Sequence, residues 1–209
     1  MEEHSDAPFF LYLPFNTPHT PFQAPEEYWE RYKDKEITMF SESDKEDIND
    51  TRAALAMCEN IDWNVGRILA KTEELGIDDN TIVIYFCDNG PAMWRWNGGM
   101  KGKKGSVDEG GVRSPMFIKW PQKIKAGKKI EQLVSVTDLL PTLSEMCAIP
   151  FETNHPLDGI SVRESILDDV EEWEDRYLLN YWGGRVSIRN QKYRLGHQGG
   201  LFDIEADRG

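Results

Sequence analysis

The apolar positions of the chain fall into short dense runs and longer spaced patterns. Residues 8–15, PFFLYLPF, are almost all apolar, the texture of a strand covered on both faces of a parallel sheet. A proline-rich loop, TPHTPFQAP, follows, and residues 26–50 are charged and aperiodic, a solvated excursion. From Thr51 to Leu75 the spacing becomes helical, with Leu55, Cys58, Ile61, Val65, Ile68, Leu69 and Leu75 on one face. Asn49 or Asp50 is placed to cap this helix, and Gly76 stands at the position after its end.

The turn Asp78-Asp79-Asn80 leads into TIVIYFC, a second buried-strand run, and PMFIKW at 115–120 is a third. Strand, helix, strand in that order is a β-α-β unit and predicts a parallel α/β sheet. TDLLPTLSEMC, at 137–147, predicts an amphipathic helix with Thr137 or Asp138 near its N-cap. After Pro150 the texture changes. RYLLNYW, RVSIRN, KYRLG and LFDI are short and broken by Gly or Asn, an antiparallel meander. A subdomain boundary is expected near 150–160, and no internal repeat is visible.

Composition narrows the classes. With 24 basic against 37 acidic residues, the formal charge is 24 − 37 = −13 over 209 residues. A pI near 4.8 argues against nucleic acid as a partner, since phosphate contacts want a basic surface. No apolar run approaches the ~20 residues of a membrane span, and the acidic start MEEHSDAP is not that of a signal peptide. The 3 cysteines form no C-x-x-C pair and give no disulfide framework, so they are expected to be small buried apolar side chains.

Ligands in open α/β sheets bind beyond the carboxyl ends of strands, and three clusters stand there. His19 follows the first run, Asp88-Asn89-Gly90 follows the second, and the loop GGMKGKKGSVDEGGVRSP leads into the third. An acid beside an amide offers hard oxygen donors suited to Ca²⁺ or Mg²⁺, and lysines on a glycine-rich loop suit an anion with tetrahedral oxygens. The loop carries neither G-x-x-x-x-G-K-[ST] nor G-x-G-x-x-G, so it is no nucleotide cradle. Each cluster also has an ordinary reading: a turn, solvated lysines, a packed or exposed histidine. Their common placement at strand ends points to a site.

The ordered segments PFFLYLPFNTPHTPFQAP, ENIDWNVGRILAKTEELGIDDNTIVIYFCDNG, KGSVDEGGVRSPMFIKWP, VTDLLPTLSEM and PLDGIS resemble those of sulfatases. These are calcium-dependent, formylglycine-dependent arylsulfatase-type enzymes of the alkaline-phosphatase-like superfamily. The resemblance runs from about Pro8 to Gly209 and implies a partial α/β fold, a mostly parallel sheet flanked by helices. Residues 1–155 would be the C-terminal part of the catalytic domain, and 156–209 would begin a small antiparallel subdomain. Asp88 and Asn89 resemble two ligands of the calcium ion, Lys104 the lysine that contacts sulfate oxygens, and His19 the histidine on the leaving-group side. Asn rather than His beside the Asp favours sulfate monoesters over phosphate esters. Trp94 and Trp96 are expected either to form a substrate-stacking rim or to anchor their loop. Glu109 and Arg113 are expected to brace the loop around Gly110-Gly111.

The departures define the expectation further. None of Cys58, Cys87 and Cys147 stands in the C-x-[PSA]-x-R segment whose cysteine becomes formylglycine. The remaining calcium aspartates belong to the same earlier region of the family pattern. The resemblance thus implies a second half, with an incomplete Ca²⁺ site, inactive alone. Its substrate would be a sulfated small molecule or glycan, with no nucleic acid and no membrane as partner, and a periplasmic or extracellular location. Half of such a sheet is expected to self-associate or to be complemented by an N-terminal half. A phosphate-ester hydrolase of the same superfamily and a non-catalytic remnant are the alternatives.

Overall fold

The computed structural model describes residues 1–4, 6–38, 45–170 and 172–207. The chain forms two compact units, Met1–Trp120 and Pro121–Gly209. Part of the charged 26–50 excursion lies outside the described residues.

In the first unit, α1 (Glu26–Tyr32) packs on the long helix α2 (Ile48–Glu74). The helix starts earlier than its apolar periodicity, because Asp47 is the cap. Its carboxylate accepts from the backbone N–H groups of Asn49 at 2.8 Å and Asp50 at 3.0 Å. It ends as the sequence predicts, with Gly76 at φ +64°. The buried face departs from the prediction. Ala53, Ala54, Ala56, Met57 and Ile61 are buried, while Leu55 and Cys58 are exposed. Small side chains let α1 approach closely, and Tyr28 of α1 is itself buried. Arg31 pairs with Glu59 across the two helices, and Arg52 donates to Lys35 O at 2.9 and 3.1 Å.

Strand β1 (Val83–Phe86) pairs with β2 (Met116–Lys119), in the register Val83↔Lys119 to Phe86↔Met116. This pair is antiparallel; no parallel pairing forms among the described residues. The reason lies in residues 8–15, which form no strand here. Phe10 and Tyr12 are 85% and 71% exposed. An apolar run shows that a segment favours cover; a strand also needs a neighbour to complete its ladder. Trp120 closes the unit, buried, with its indole N–H donating to Asn80 Oδ1 at 3.3 Å.

In the second unit, a 3₁₀ turn (Val136–Asp138) runs into α4 (Leu139–Met146), followed by α5 (Arg163–Leu167). Between β1 and β2, the first unit also holds the short helix α3 (Glu109–Val112). Asp138 stands at the N-cap of α4, as the sequence predicts, though its side chain makes no cap bond there, and Ser135 caps the 3₁₀ turn before it. Ser135 and Asp138 form a reciprocal capping box. Asp138 is fully buried and accepts from Ser135 N at 2.7 Å, Ile160 N at 3.0 Å and Arg176 Nη1 at 2.9 Å, with Arg176 Nη2 on its other oxygen. The meander forms as predicted: β3 (Leu178–Trp182), β4 (Arg185–Arg189), β5 (Tyr193–Leu195) and β6 (Leu201–Asp203), in that spatial order. These helices and small antiparallel sheets make a partial α/β fold. The cysteines are not the buried thiols expected: Cys58 and Cys147 are exposed and Cys87 is half-buried.

Candidate active site

The site grows from the end of β1. Ser114 Oγ donates to Cys87 O at 2.6 Å, and Cys87 N–H reaches Pro115 O at 3.4 Å, which pins the strand end to the approach of β2. Asp88 then projects exposed, and Asn89 is half-buried. The Asn89 side-chain NH₂ donates to Gly90 O at 2.8 Å. This bond turns one amide N–H to the backbone, and the side-chain carbonyl oxygen is the group's acceptor.

The glycine- and lysine-rich loop is stitched to this turn through its backbone. Gly90 N–H donates to Gly111 O at 3.1 Å, and Lys104 N–H donates to Pro91 O at 2.9 Å. The second bond ties the Lys104 backbone to the turn that follows Asp88 and Asn89. Asn97 braces the loop from inside, donating to Met100 O at 2.7 Å and Gly102 O at 3.0 Å, and Gly110 N–H donates to Lys101 O at 2.7 Å. Glu109 is fully buried with Arg113 Nη1 at 3.8 Å, the bracing pair the sequence predicts.

The two adjacent lysines behave differently. Lys103 Nζ donates to Ala92 O at 3.0 Å and lies 5.9 Å from the Trp94 ring centroid. Lys104 is half-buried, and its ammonium engages no described group. Trp94 and Trp96 are both exposed; the Trp94 ring also has Lys45 Nζ 5.4 Å from its centroid. Trp94 is thus a surface ring flanked by two lysine ammonium groups.

His19 is exposed, and its Nδ1 lies 2.8 Å from Thr20 O. A carbonyl only accepts, so Nδ1 carries the hydrogen of this bond and Nε2 is the ring nitrogen it leaves over. No hydrogen bond joins His19 to Asp88, Asn89 or Lys104. The link between these segments is one that sequence reasoning missed: the Arg95 guanidinium stacks on the Phe22 ring at 4.9 Å. Burial lowers the pKa of Arg95, while the nearby carboxylates of Asp50 and Glu46 and the Cys58 side chain oppose that shift. Beneath the strand end, burial pushes Tyr85 up to about 12, with the Cys87 and Cys58 thiols nearby adding to it.

The donor set suits a hard cation, one carboxylate and one amide oxygen side by side, but it is short. Among the described residues no three His, Cys, Asp or Glu side chains converge to hold a metal ion, whereas calcium takes about 6–8 oxygens. Asp88 and Asn89 would be two of these.

The sulfatase family model matches residues 1–148, and a model described as N-sulphoglucosamine sulphohydrolase, C-terminal, matches residues 102–197. The chain is 32% identical over 219 residues to the uncharacterized sulfatase YdeN of Escherichia coli, covering 95% of this chain and 37% of that protein. It is 32% identical over 192 residues to arylsulfatase J of Mus musculus, covering 91% of this chain and 30% of the relative. The crystal structure of Ps i-CgsB superposes with a TM-score of 0.78 at 30% identity, covering 96% of this chain and 44% of that one. The same protein has been solved in complex with k-i-k-neocarrahexaose. The chain thus spans less than half the length of each of these three, and the fold is the alkaline-phosphatase-like one.

Proposed function

The chain belongs to the sulfatase family, and on that premise we propose that it forms the calcium- and sulfate-contacting part of a sulfuric-ester hydrolase acting on sulfate monoesters. The carrying observation is the division of labour between Lys103 and Lys104. Lys103 spends its ammonium on Ala92 O, while the Lys104 backbone is fastened to Pro91 O and its ammonium engages no described group. A positioned, uncommitted ammonium beside a hard-cation half-site suits the oxygens of an anionic ester.

Asp88 and the Asn89 carbonyl oxygen would hold calcium together with ligands from outside these residues. Bound there, the ion supplies Lewis acidity towards a sulfonyl oxygen. Lys104 stabilises charge on the sulfonyl oxygens. His19 offers Nε2–H to the bridging oxygen when its imidazole is protonated, the Nδ1 bond to Thr20 O fixing the ring plane. Trp94 and Trp96, exposed on the loop after Asn89, would make a rim for a sugar ring. The oligosaccharide complex of Ps i-CgsB supports a sulfated glycan as the substrate class.

No cysteine of this chain stands in the formylglycine segment, so the nucleophile is proposed to come from an N-terminal half. Alone, the chain should bind without turnover. The test is NMR titration of the chain with 4-nitrophenyl sulfate in calcium chloride, alongside a hydrolysis assay. Calcium-dependent perturbation at Asn89, Lys104 and His19 with no nitrophenol release is the expected result. Nitrophenol release by the pure chain would refute inactivity, and perturbation confined to other residues would refute the site.

A further inference from the structure

His19 rides on a segment that is nearly unattached by polar or ring contacts. Among the described residues between Asp6 and Ala24, the hydrogen bonds are local: Ala7 N to His4 O at 3.4 Å, His19 N to Asn16 O at 3.2 Å, and the His19–Thr20 contacts. Phe22 against Arg95 is the one ring, ionic or hydrogen-bonding contact from this stretch to the body of the first unit. Arg95 is an unusual choice for a mere anchor. Its Nε and Nη2 are buried with no hydrogen-bond partner, and burial works against its charge. An aliphatic side chain would hold a phenyl ring without leaving buried donors unsatisfied. What the guanidinium adds is a planar cation over the ring face, its charge favoured by Asp50 and Glu46 in and just before the first turn of α2.

We propose that Arg95 is a positioning residue, which by stacking on Phe22 holds the loop bearing His19 in place against the loop bearing Asp88 and Asn89. Arg95 lies six residues after Asn89, on the loop whose lower end is tied to Lys104 through Pro91. The stack therefore couples the proton-donating segment to the segment that would carry metal and anion. The catalytic consequence rests on the sulfatase reading. The coupling itself does not.

The test is backbone and imidazole NMR on the whole chain, without ligand. In wild type, residues 17–23 should show order parameters near the rigid value of about 0.85, and in Arg95→Ala below about 0.6. The His19 ring resonances should move to their unstructured values while α2 and β1 shifts hold. Phe22→Leu keeps bulk, removes the ring and leaves Arg95 in place, so it serves if Arg95→Ala fails to fold. It should loosen the same residues. The double variant should loosen them no further than either single one, and Arg95→Lys should retain part of the order, since an ammonium can still sit over the ring. Unchanged order in Phe22→Leu would overturn the proposal, as would additive loosening in the double variant. A wild-type chain that ignores the aryl sulfate, yet loses loop order in these variants, would sink the sulfatase site alone and leave the positioning role standing.

Discussion

Gly90 lies with its Cα face against the carbonyl of Gly110, so close that a Cβ at Gly90 would stand 1.8 Å from Gly110 O. A Cβ at Gly110 would in turn meet Gly102 O at 2.4 Å and Lys101 O at 2.7 Å. The Asp88-Asn89 turn and the lysine-bearing loop are thus stacked backbone on backbone, and the Lys104 N–H bond to Pro91 O fastens the same two segments. Gly90→Ala and Gly110→Ala should each cost at least the ~1–3 kcal/mol of an overpacked core, read as a lower urea midpoint. A variant within about 0.5 kcal/mol of the parent would mean the two loops can part without loss.

Lys103 and Lys104 are neighbours in sequence with opposite expected phenotypes. Lys103→Ala removes a charged donor from Ala92 O and should lower stability, by up to the ~1.5–3 kcal/mol typical of hydrogen bonds to charged groups, while calcium-dependent anion binding persists in the molecules that remain folded. Lys104→Ala removes no described side-chain contact and should leave the urea midpoint within about 0.5 kcal/mol, while abolishing the response to the aryl sulfate. The reverse pattern would exchange the roles assigned to the two side chains.

Asp138 makes the second unit sensitive to acid. Burial works to raise its pKa, but the Arg176 guanidinium and the N–H groups of Ser135 and Ile160 outweigh it and hold the carboxyl below its ordinary 3.8. A depressed folded pKa stabilises the fold above the unfolded value, and that contribution is lost as pH falls through the folded one. Asp138→Asn should cost about 3–5 kcal/mol at neutral pH, the range for breaking a buried pair. Below pH 3.8 the gap between variant and parent should narrow. A gap constant from pH 7 to the acid limit would rule out ionisation of Asp138 as its source.

What the sequence made legible was local. The long helix, both strands of the first pair and the four-strand meander follow from periodicity and turn residues. Asp88, Asn89, Lys104 and His19 stand in continuous motifs, so a resemblance can locate them. The misses are of another kind. The helix start at Asp47 hid inside a charged stretch with no period, and its buried face went to alanines, which carry little weight in an apolar pattern. Residues 8–15 are apolar enough for a strand, yet pairing depends on a neighbour that no run can reveal about itself. Arg95 on Phe22 joins segments far apart in sequence and bears no motif, so only the folded chain shows it.

The meander carries its apolar side outward. Directly paired residues share a face, and the register Leu179↔Ile188↔Leu195↔Leu201 draws one aliphatic row across all four strands. Leu179 and Leu201 at its ends are 66% and 68% exposed, and Tyr181, two residues on from Leu179 along β3, is 67% exposed. On the opposite face Ser187 and Arg194 are buried. Water is therefore in contact with the side that hydrophobic burial would cover first, and a contiguous apolar patch of this kind marks a contact surface. The chain is expected to associate with itself as concentration rises, unless a partner half covers the row. Leu179→Lys with Leu201→Lys places charges at both ends of the row, on outer strands where lysine discourages pairing, and leaves the buried face untouched. Sedimentation velocity from low to high micromolar chain should show association in the parent and a monomer in the double variant. Equal association in both would move the contact elsewhere, with the exposed Phe10 and Tyr12 of residues 8–15 the next surface to charge.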